Sequence, residues 1–514
     1  MKILITSSAL GLLALSQASA ELTIPHFFSD HMVLQREKPI AIWGQADPNS
    51  KVEVGFAGES ASATSDAEGN WKATLKAQSA RDKGSDLTIT SGAESKTLKD
   101  VLVGEVWFAS GQSNMAWTVN KTEEAEANIA AANHPGIRIF QAKRTPAAEP
   151  QNDIDGAWFI SSPETAGNFT AVGYYFAKEL HQDLKVPIGI ISSSWGGKPV
   201  ETFTSREALA SIPEGTPQLE KLDQMIANYD PAKAKKNFET AMKKYETTFT
   251  EWKAKPKEGR GKAPRKPSMA KDPASTEGRP GVLFNGMINP FVGYTMRGAI
   301  WYQGEANAKT PESSAAYGKL FPLMINDWRK RWNDDFSFLW AQLANFKKAT
   351  QEPGLVDPWA QLQDEQRKSL ALPKTGMAVI NDIGAANDIH PRNKKDVGRR
   401  LALWALANDY GKDIVFSGPL FKSSEIKGSE IIVHFDHAKG LKSRDGQPLK
   451  RFEITGDNQT WHWADAKIDG DTVVVSSKEV SAPKAARYAW SANPEGANLV
   501  NGDELPASVF GTAN

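Results

Sequence analysis

The sequence has no cysteine in 514 residues. That absence excludes disulfide scaffolds, zinc–thiolate centres, a cysteine nucleophile and a lipoprotein-type anchor, so stability must rest on core size. It also lacks an excess of either charge. The 61 lysines and arginines balance 61 aspartates and glutamates, whereas a dedicated nucleic-acid binder carries a basic excess. Histidine is scarce, with eight copies, and no cluster has metal-ligand spacing, so neither a metal nor a cofactor is expected. No apolar run approaches the ~18 residues of a membrane-spanning helix.

What is present reads as a large globular chain. Hydrophobic residues make up 40% and charged residues 24%, close to the globular norm. At ~150 residues per domain the length suggests about three domains. Sixteen tryptophans hint at sugar-facing aromatics, although core packing accounts for most tryptophans in most proteins. At the start, Met1-Lys2, the apolar stretch Ile3 to Leu15 and Ala18-Ser19-Ala20 match an export leader over residues 1–20. The expectation is an exported protein, periplasmic or secreted, without a membrane anchor.

From residue 21 to about 100 the pattern is strand-like. Ile40 to Trp43, Val52 to Val54 and Leu87 to Thr90 alternate between turns such as Asp47-Pro48-Asn49 and Glu68-Gly69-Asn70. From 101 to about 415 short apolar strands alternate with amphipathic helices. The strands are Glu105 to Ala109, Ile188 to Ser192, Gly298 to Tyr302, Ser337 to Gln342 and Ala378 to Asn381. The helices include Ala171 to Leu184, Tyr317 to Trp332 and Asp396 to Ala407. This predicts an α/β domain with a parallel sheet flanked by helices. A charged helical insertion (Thr216 to Trp252) and a basic loop (Lys253 to Pro280) interrupt it over about 210–280. From 416 to 514 strand patterns return, as in Ile431 to His434 and Thr472 to Val475, so β-sandwich-like regions are expected at both ends.

Sites in such sheets gather at the carboxyl ends of strands. Four strand ends draw attention. Ser110-Gly111-Gln112-Ser113-Asn114-Met115 places a serine in a glycine-containing turn, where a hydroxyl can protrude from the sheet. Met115 stands where the α/β-hydrolase elbow has its second glycine, so that version is absent. Ser194-Trp195-Gly196-Gly197 can bring backbone N–H groups to a developing oxyanion. Gln303-Gly304-Glu305-Ala306-Asn307 groups polar side chains, of which Gln303 or Asn307 could add an amide donor. Asn387-Asp388-Ile389-His390 supplies a late histidine with an aspartate two residues away, on the same side of an extended backbone. His434 and His437 lie outside the strand–helix alternation and read as surface or packing residues.

Each motif is modest alone. Their order, with Phe28-Ser29-Asp30-His31-Met32-Val33-Leu34-Gln35-Arg36, Asn285-Gly286-Met287-Ile288, Trp301-Tyr302 and Asp388 to Lys394, resembles the SGNH hydrolases. More closely it resembles the sialate O-acetylesterase family and related carbohydrate acetylesterases. Near the end, Arg487-Tyr488-Ala489-Trp490 and Leu505-Pro506-Ala507 also fit. The resemblance implies an SGNH-type fold and a carbohydrate O-acetylesterase acting on an O-acetylated sugar. It further implies Ser113 as nucleophile, His390 as base, no metal, and oxyanion donors from the Ser113 amide, a glycine of Gly196-Gly197 and a side-chain amide. Gln112, Gln303, Glu305 and Asn307 are the polar side chains expected around the substrate.

Two departures from the SGNH pattern leave questions open. Asn387 occupies the usual aspartate position three residues before the histidine; Asp388 is the acid expected to orient His390, with Asp382 next and a serine–histidine dyad third. The third block is usually Gly-x-Asn-Asp, and here Gly304 precedes Glu305-Ala306-Asn307, which ranks Gln303 above Asn307 as donor. A sialic acid-type and a plant-polysaccharide substrate both remain; Arg392 and the loop around Arg279 are the charges that could meet a sialate carboxylate. Tryptophans 43, 461 and 463 of the terminal β regions could touch sugar. A non-catalytic carbohydrate-binding protein with a degenerate hydrolase domain is the rival reading. It expects loss of Ser113 or His390, and both are present.

Overall fold

The computed structural model describes residues 21–513; the expected leader, residues 1–20, lies outside them. The first strands are β1 (Val33–Gln35), β2 (Ile40–Gln45), β3 (Lys51–Phe56), β4 (Glu59–Thr64), β5 (Asn70–Leu75), β6 (Arg81–Ser91) and β7 (Glu94–Gly111). Alternation drives them: in β3, Lys51 and Glu53 face solvent while Val52, Val54 and Phe56 are buried. β7 begins with mixed exposure and is buried on both faces from Val101 onward, as a central strand must be. It runs unbroken across residue 100, pairing with β6 and β1 in its first part and with the strands of the parallel sheet in its second.

The α/β region continues with α1 (Ser113–Ala116), α2 (Ala125–Ala130), β8 (His134–Ala142), β9 (Gly156–Ser161), α3 (Ala171–Leu184) and β10 (Ile188–Ser194). Next come α4 (Arg206–Ala210), α5 (Thr216–Ala227), α6 (Pro231–Ala254), β11 (Gly298–Tyr302), α7 (Pro311–Trp332), β12 (Ser337–Ala341), α8 (Pro358–Lys368), β13 (Thr375–Ala378) and α9 (Lys395–Asn408). The sheet order is β13-β12-β11-β7-β10-β8-β9, parallel except for the edge strand β9. Neighbouring residues of β7 point to opposite faces. Trp107 meets Phe176 of α3 at 5.0 Å, and Phe108 meets Trp328 of α7 at 5.7 Å, so these helices cover opposite sides.

Local signals set the helix ends. Thr170 caps α3, and Thr310 with Ser313 forms a capping box ahead of Pro311 in α7. The expected helix over Thr216 to Trp252 breaks in two where Asp230 caps α6 and Pro231 opens it. Residues 255–280 hold only a short 3-10 turn, Pro273–Ser275. The strand expected at Ala378 to Asn381 starts earlier, at Thr375, because Trp340 and Ala341 of β12 pair with Met377 and Ala378.

The C-terminal part folds into two four-stranded antiparallel sheets, strands Leu420–Lys427, Glu430–Asp436, Thr472–Ser476 and Asp465–Asp469, then Trp461–Trp463, Phe452–Thr455, Ala485–Tyr488 and Phe510–Gly511. Their shared core includes Val433, Ile454, Val473, Tyr488 and Phe510. It is tied to the α/β body by Gln342 Nε2 to Ser508 Oγ at 2.8 Å and Asn381 Nδ2 to the Ala507 carbonyl at 3.1 Å. The tryptophans considered for sugar contact mostly pack. Trp43 sits 4.8 Å from Phe28, the Arg487 guanidinium lies 4.2 Å over Trp461, and Trp463 donates to the Gln351 carbonyl.

Candidate active site

β7 ends at Gly111, whose φ of +137° and close approach to the Tyr302 carbonyl require glycine; a Cβ would lie 2.3 Å from that oxygen. Gln112 stays extended and donates its N–H to the same carbonyl at 2.9 Å. Ser113 then opens the four-residue helix α1. Across 277 residues of sequence, Ser113 Oγ and His390 Nε2 come within 2.8 Å. The His390 ring stacks on Trp117 at 4.8 Å and 12°, which fixes its plane. Burial holds the imidazole below its ordinary value, and Asp388 only partly offsets this, so His390 is neutral at pH 7 and can accept a proton.

The glycine pair behaves asymmetrically. A Cβ on Gly196 would meet the Ser113 Cβ at 3.1 Å, so a side chain here would press on the nucleophile. Gly197 has a φ of +69° and open space around it; its role is the turn. The backbone N–H groups of Ser113 and Gly196 donate to no group among the described residues. They are available to a developing negative charge beside Ser113 Oγ.

The side-chain amides divide differently from the sequence ranking. Gln303 Nε2 donates to Asn307 Oδ1 at 2.7 Å and to the Lys198 carbonyl at 3.2 Å, which spends both its hydrogens. Asn307 Nδ2 donates to Glu201 Oε2 at 3.0 Å, and its Oδ1 also accepts the Val200 N–H. These two amides brace the strand ends together. Gln112, beside the nucleophile, accepts the Ala306 N–H on Oε1 at 3.3 Å while its Nε2 has no partner among the described residues. Its free N–H groups are the side-chain donors the geometry leaves open.

Asp388 lies beside the histidine and does two things. Its Oδ1 accepts the His390 backbone N–H at 2.8 Å, closing a turn, and stands 3.7 Å from His390 Nδ1, beyond hydrogen-bond length. Asp382, the other acid weighed, is held by Arg400 at 2.6 Å and by Arg444 at 2.9 Å. Burial raises its carboxyl and the two arginines more than reverse that. It is a structural anion, away from the imidazole. Arg392 donates to the Lys121 carbonyl, and Arg279 lines a small cavity of about 200 Å³ with Gln218 and Leu222.

Three residues escaped the sequence reading: Asn114, Trp117 and Lys394. Asn114 follows the serine and Lys394 sits four residues after the histidine, and both are almost fully buried. Asn114 Nδ2 donates to Glu305 Oε1 at 2.5 Å and to the Ile389 carbonyl at 3.0 Å, and its Oδ1 accepts from Lys394 Nζ at 2.6 Å. Burial raises the Glu305 carboxyl, and its Oε2 has no hydrogen-bond partner among the described residues. Burial also lowers the Lys394 ammonium, to about 7. Asn114 and Lys394 lie inside the sequence motifs, but their tie is through space, so the sequence does not reveal their role.

Comparison with known proteins is consistent across methods. Residues 281–406 match the family model of a carbohydrate esterase described as sialic acid-specific acetylesterase. The chain is 30% identical to the rat (Rattus norvegicus) sialate O-acetylesterase over 428 residues, 77% of this chain and 74% of that protein. It is 28% identical to the mouse (Mus musculus) sialate O-acetylesterase over 511 residues, 91% of this chain and 89% of the other. A solved carbohydrate acetylesterase from Xanthomonas citri superposes with a TM-score of 0.80 at 37% identity, covering 96% of this chain and 100% of its own.

Proposed function

Because the chain belongs to the sialate O-acetylesterase family, we propose that it removes O-acetyl groups from a carbohydrate through an acyl-serine intermediate, with Ser113 as nucleophile and His390 as base. The observation that carries this reading is the 2.8 Å contact between Ser113 Oγ and His390 Nε2 at the carboxyl end of the sheet. A serine hydroxyl is a weak nucleophile unless an adjacent base takes its proton as it attacks.

In the first step His390 Nε2 accepts the Ser113 proton while Oγ adds to the acetyl carbonyl carbon. The oxyanion that forms is met by the N–H groups of Ser113 and Gly196 and by Gln112 Nε2, each worth ~10²–10³ in rate in comparable sites. His390 returns the proton to the departing sugar oxygen. Water then adds to the acyl carbon as it loses its proton to the same nitrogen; the bond to Ser113 Oγ breaks, His390 returns the proton to Oγ, and acetate leaves. Asp388 supports the imidazolium electrostatically from 3.7 Å. Export through a leader over residues 1–20 is part of the same proposal and suits an enzyme acting on extracellular glycans.

Two assays test the reading. Wild-type protein is expected to hydrolyse p-nitrophenyl acetate, and Ser113→Ala to lose that activity; undiminished turnover by the variant overturns the nucleophile. Acetate release from O-acetylated sialic acid and from acetylated xylo-oligosaccharides, measured side by side, assigns the sugar. Release from neither contradicts a carbohydrate O-acetylesterase.

A further inference from the structure

We propose that Lys394 is a positioning residue of this active site, clamping the His390 loop to the residue that follows the nucleophile and opposing positive charge on the imidazole. The inference deepens the esterase reading and rests on it. Its geometry is a set of three turns meeting on one buried amide. Asn114 comes from the turn after β7, Glu305 from the turn after β11, and Ile389 to Lys394 from the loop that leads into α9. The two peptide carbonyls that flank His390 are each held: that of Ile389 by Asn114 Nδ2 at 3.0 Å, and that of Pro391 by Lys394 Nζ at 2.6 Å. The same ammonium donates to Asn114 Oδ1 at 2.6 Å, which closes the clamp.

The chemistry explains why a lysine stands there. One atom must donate in at least two directions, to a side-chain carbonyl and a backbone carbonyl, and the ammonium has three donors. Burying it is costly unless negative or polarisable groups surround it. Glu305 supplies a nearby anion, and the rings of Tyr302 and Trp117 lie 5.5 and 5.9 Å from Nζ. Trp117 is also the ring on which His390 stacks. A chain of contacts thus runs from Lys394 to both members of the reacting pair. Misplacing a catalytic group by about 1 Å costs ~10² in rate, so such a clamp has a large effect to protect.

The charges around the pair give the proposal a distinct signature. Asp388 favours the imidazolium, and Lys394 and Lys121 disfavour it; facing Lys394 itself are Glu305 and Asp388. Burial brings Lys394 down to about 7, so below that pH it is charged in the range where His390 takes up its proton. Removing the lysine charge therefore raises the imidazole pKa and moves the acid limb of kcat/KM to higher pH. Losing the clamp lowers kcat and leaves KM nearly unchanged.

The test is a pH profile, from 5 to 9, of p-nitrophenyl acetate hydrolysis by wild type, Lys394→Met, Lys394→Gln, Lys121→Met and Ser113→Ala. Lys394→Met is expected to lose about 10²-fold in kcat, with the acid limb displaced upward. Lys394→Gln keeps one donor amide and is expected to show the same displacement with a smaller loss. Lys121→Met, whose ammonium also lies over the Trp117 ring at 5.3 Å, is expected to move the limb in the same direction with a smaller loss of kcat than Lys394→Met, because Lys121 holds neither carbonyl beside His390. Wild-type kcat in Lys394→Met, or an unmoved acid limb in both Lys394 variants, overturns the proposal. If Lys394→Met fails to fold, the limb of Lys394→Gln decides alone. Activity surviving in Ser113→Ala instead overturns the esterase reading; a dead Ser113→Ala beside Lys394 variants that match wild type overturns only this inference.

Discussion

Each end of the stretch of β7 that pairs with β10, Glu105 to Gly111, has a buried carboxylate, and the two are treated in opposite ways. At the amino end Glu105 is fully enclosed and saturated. Arg36 holds it at 2.5 Å, Arg297 at 2.9 and 3.1 Å, and Gln35 at 2.9 Å. Burial alone would raise its carboxyl, and Arg297, Gln35 and Arg36 together bring it below the usual range. About 20 Å along the strand, at the nucleophile end, Glu305 has one oxygen on Asn114 and the other without a hydrogen-bond partner among the described residues, and burial raises its carboxyl. The saturated anion joins the N-terminal strands to the sheet. The undersatisfied one is bonded to Asn114, the residue that follows Ser113. Perturbed, incompletely paired groups cluster where chemistry is done, and one strand shows both regimes.

The largest break in that contrast comes at the reacting pair. Ser113→Ala and His390→Ala are each expected to lower kcat by about 10⁴-fold or more, with circular dichroism unchanged, and the double variant to be no worse than either, because members of a catalytic unit fail together. Retention of more than about one hundredth of wild-type kcat removes that residue from its role.

Glu105→Gln probes the saturated end. It leaves two arginines underpaired in a buried site, which costs about 3–5 kcal/mol of stability. The esterase rate at 25 °C is expected to persist. The pH dependence has a definite sign: Glu105 and Asp382 are lowered in the fold, so their stabilisation is present above the ordinary carboxylate pKa and is lost as pH falls through the folded values. Urea midpoints should therefore drop on acidification below about pH 4, and less steeply in Glu105→Gln. A variant that loses rate while keeping its midpoint contradicts the division of labour.

At the active end Gln112→Ala removes the unpartnered side-chain donor and is expected to cost about 10² in kcat with little change in stability. A loss under threefold would return the side-chain donor to another residue. Asp388→Asn is expected to cost about tenfold to a hundredfold in kcat, within the range of general-base support, and to move the acid limb of kcat/KM to lower pH as His390 loses its favourable neighbour. Asp382→Asn is expected to lower stability and spare the rate. The reverse outcome for the two aspartates would make Asp382 the acid.

Much of this was legible in the sequence where the controlling interactions are local. Ser113 and Gly196 each stand just after a strand that reads as a strand, His390 lies in the loop between β13 and α9, and α3 occupies the span its apolar period suggests. What was not legible depends on partners far apart in sequence. Gln303 looks like a free donor until Asn307 and the Lys198 carbonyl occupy it. Asp382 looks like a neighbour of His390 until Arg400 and Arg444 are seen to claim it. Asn114 and Lys394 are 280 residues apart and meet only in the fold. Strand β8 and the edge strand β9 carry too mixed a pattern, with Pro135 and Gly136 near the start of β8, to stand out from loops.

The central claim is that an acetyl group passes through Ser113. Acid-quenching the enzyme within its first turnovers of p-nitrophenyl acetate, then digesting it and locating the acetyl group by mass spectrometry, tests this directly. The account predicts one acetyl group on the peptide that carries Ser113, absent from Ser113→Ala. A pre-steady-state burst with the acetyl group on any other side chain would contradict it.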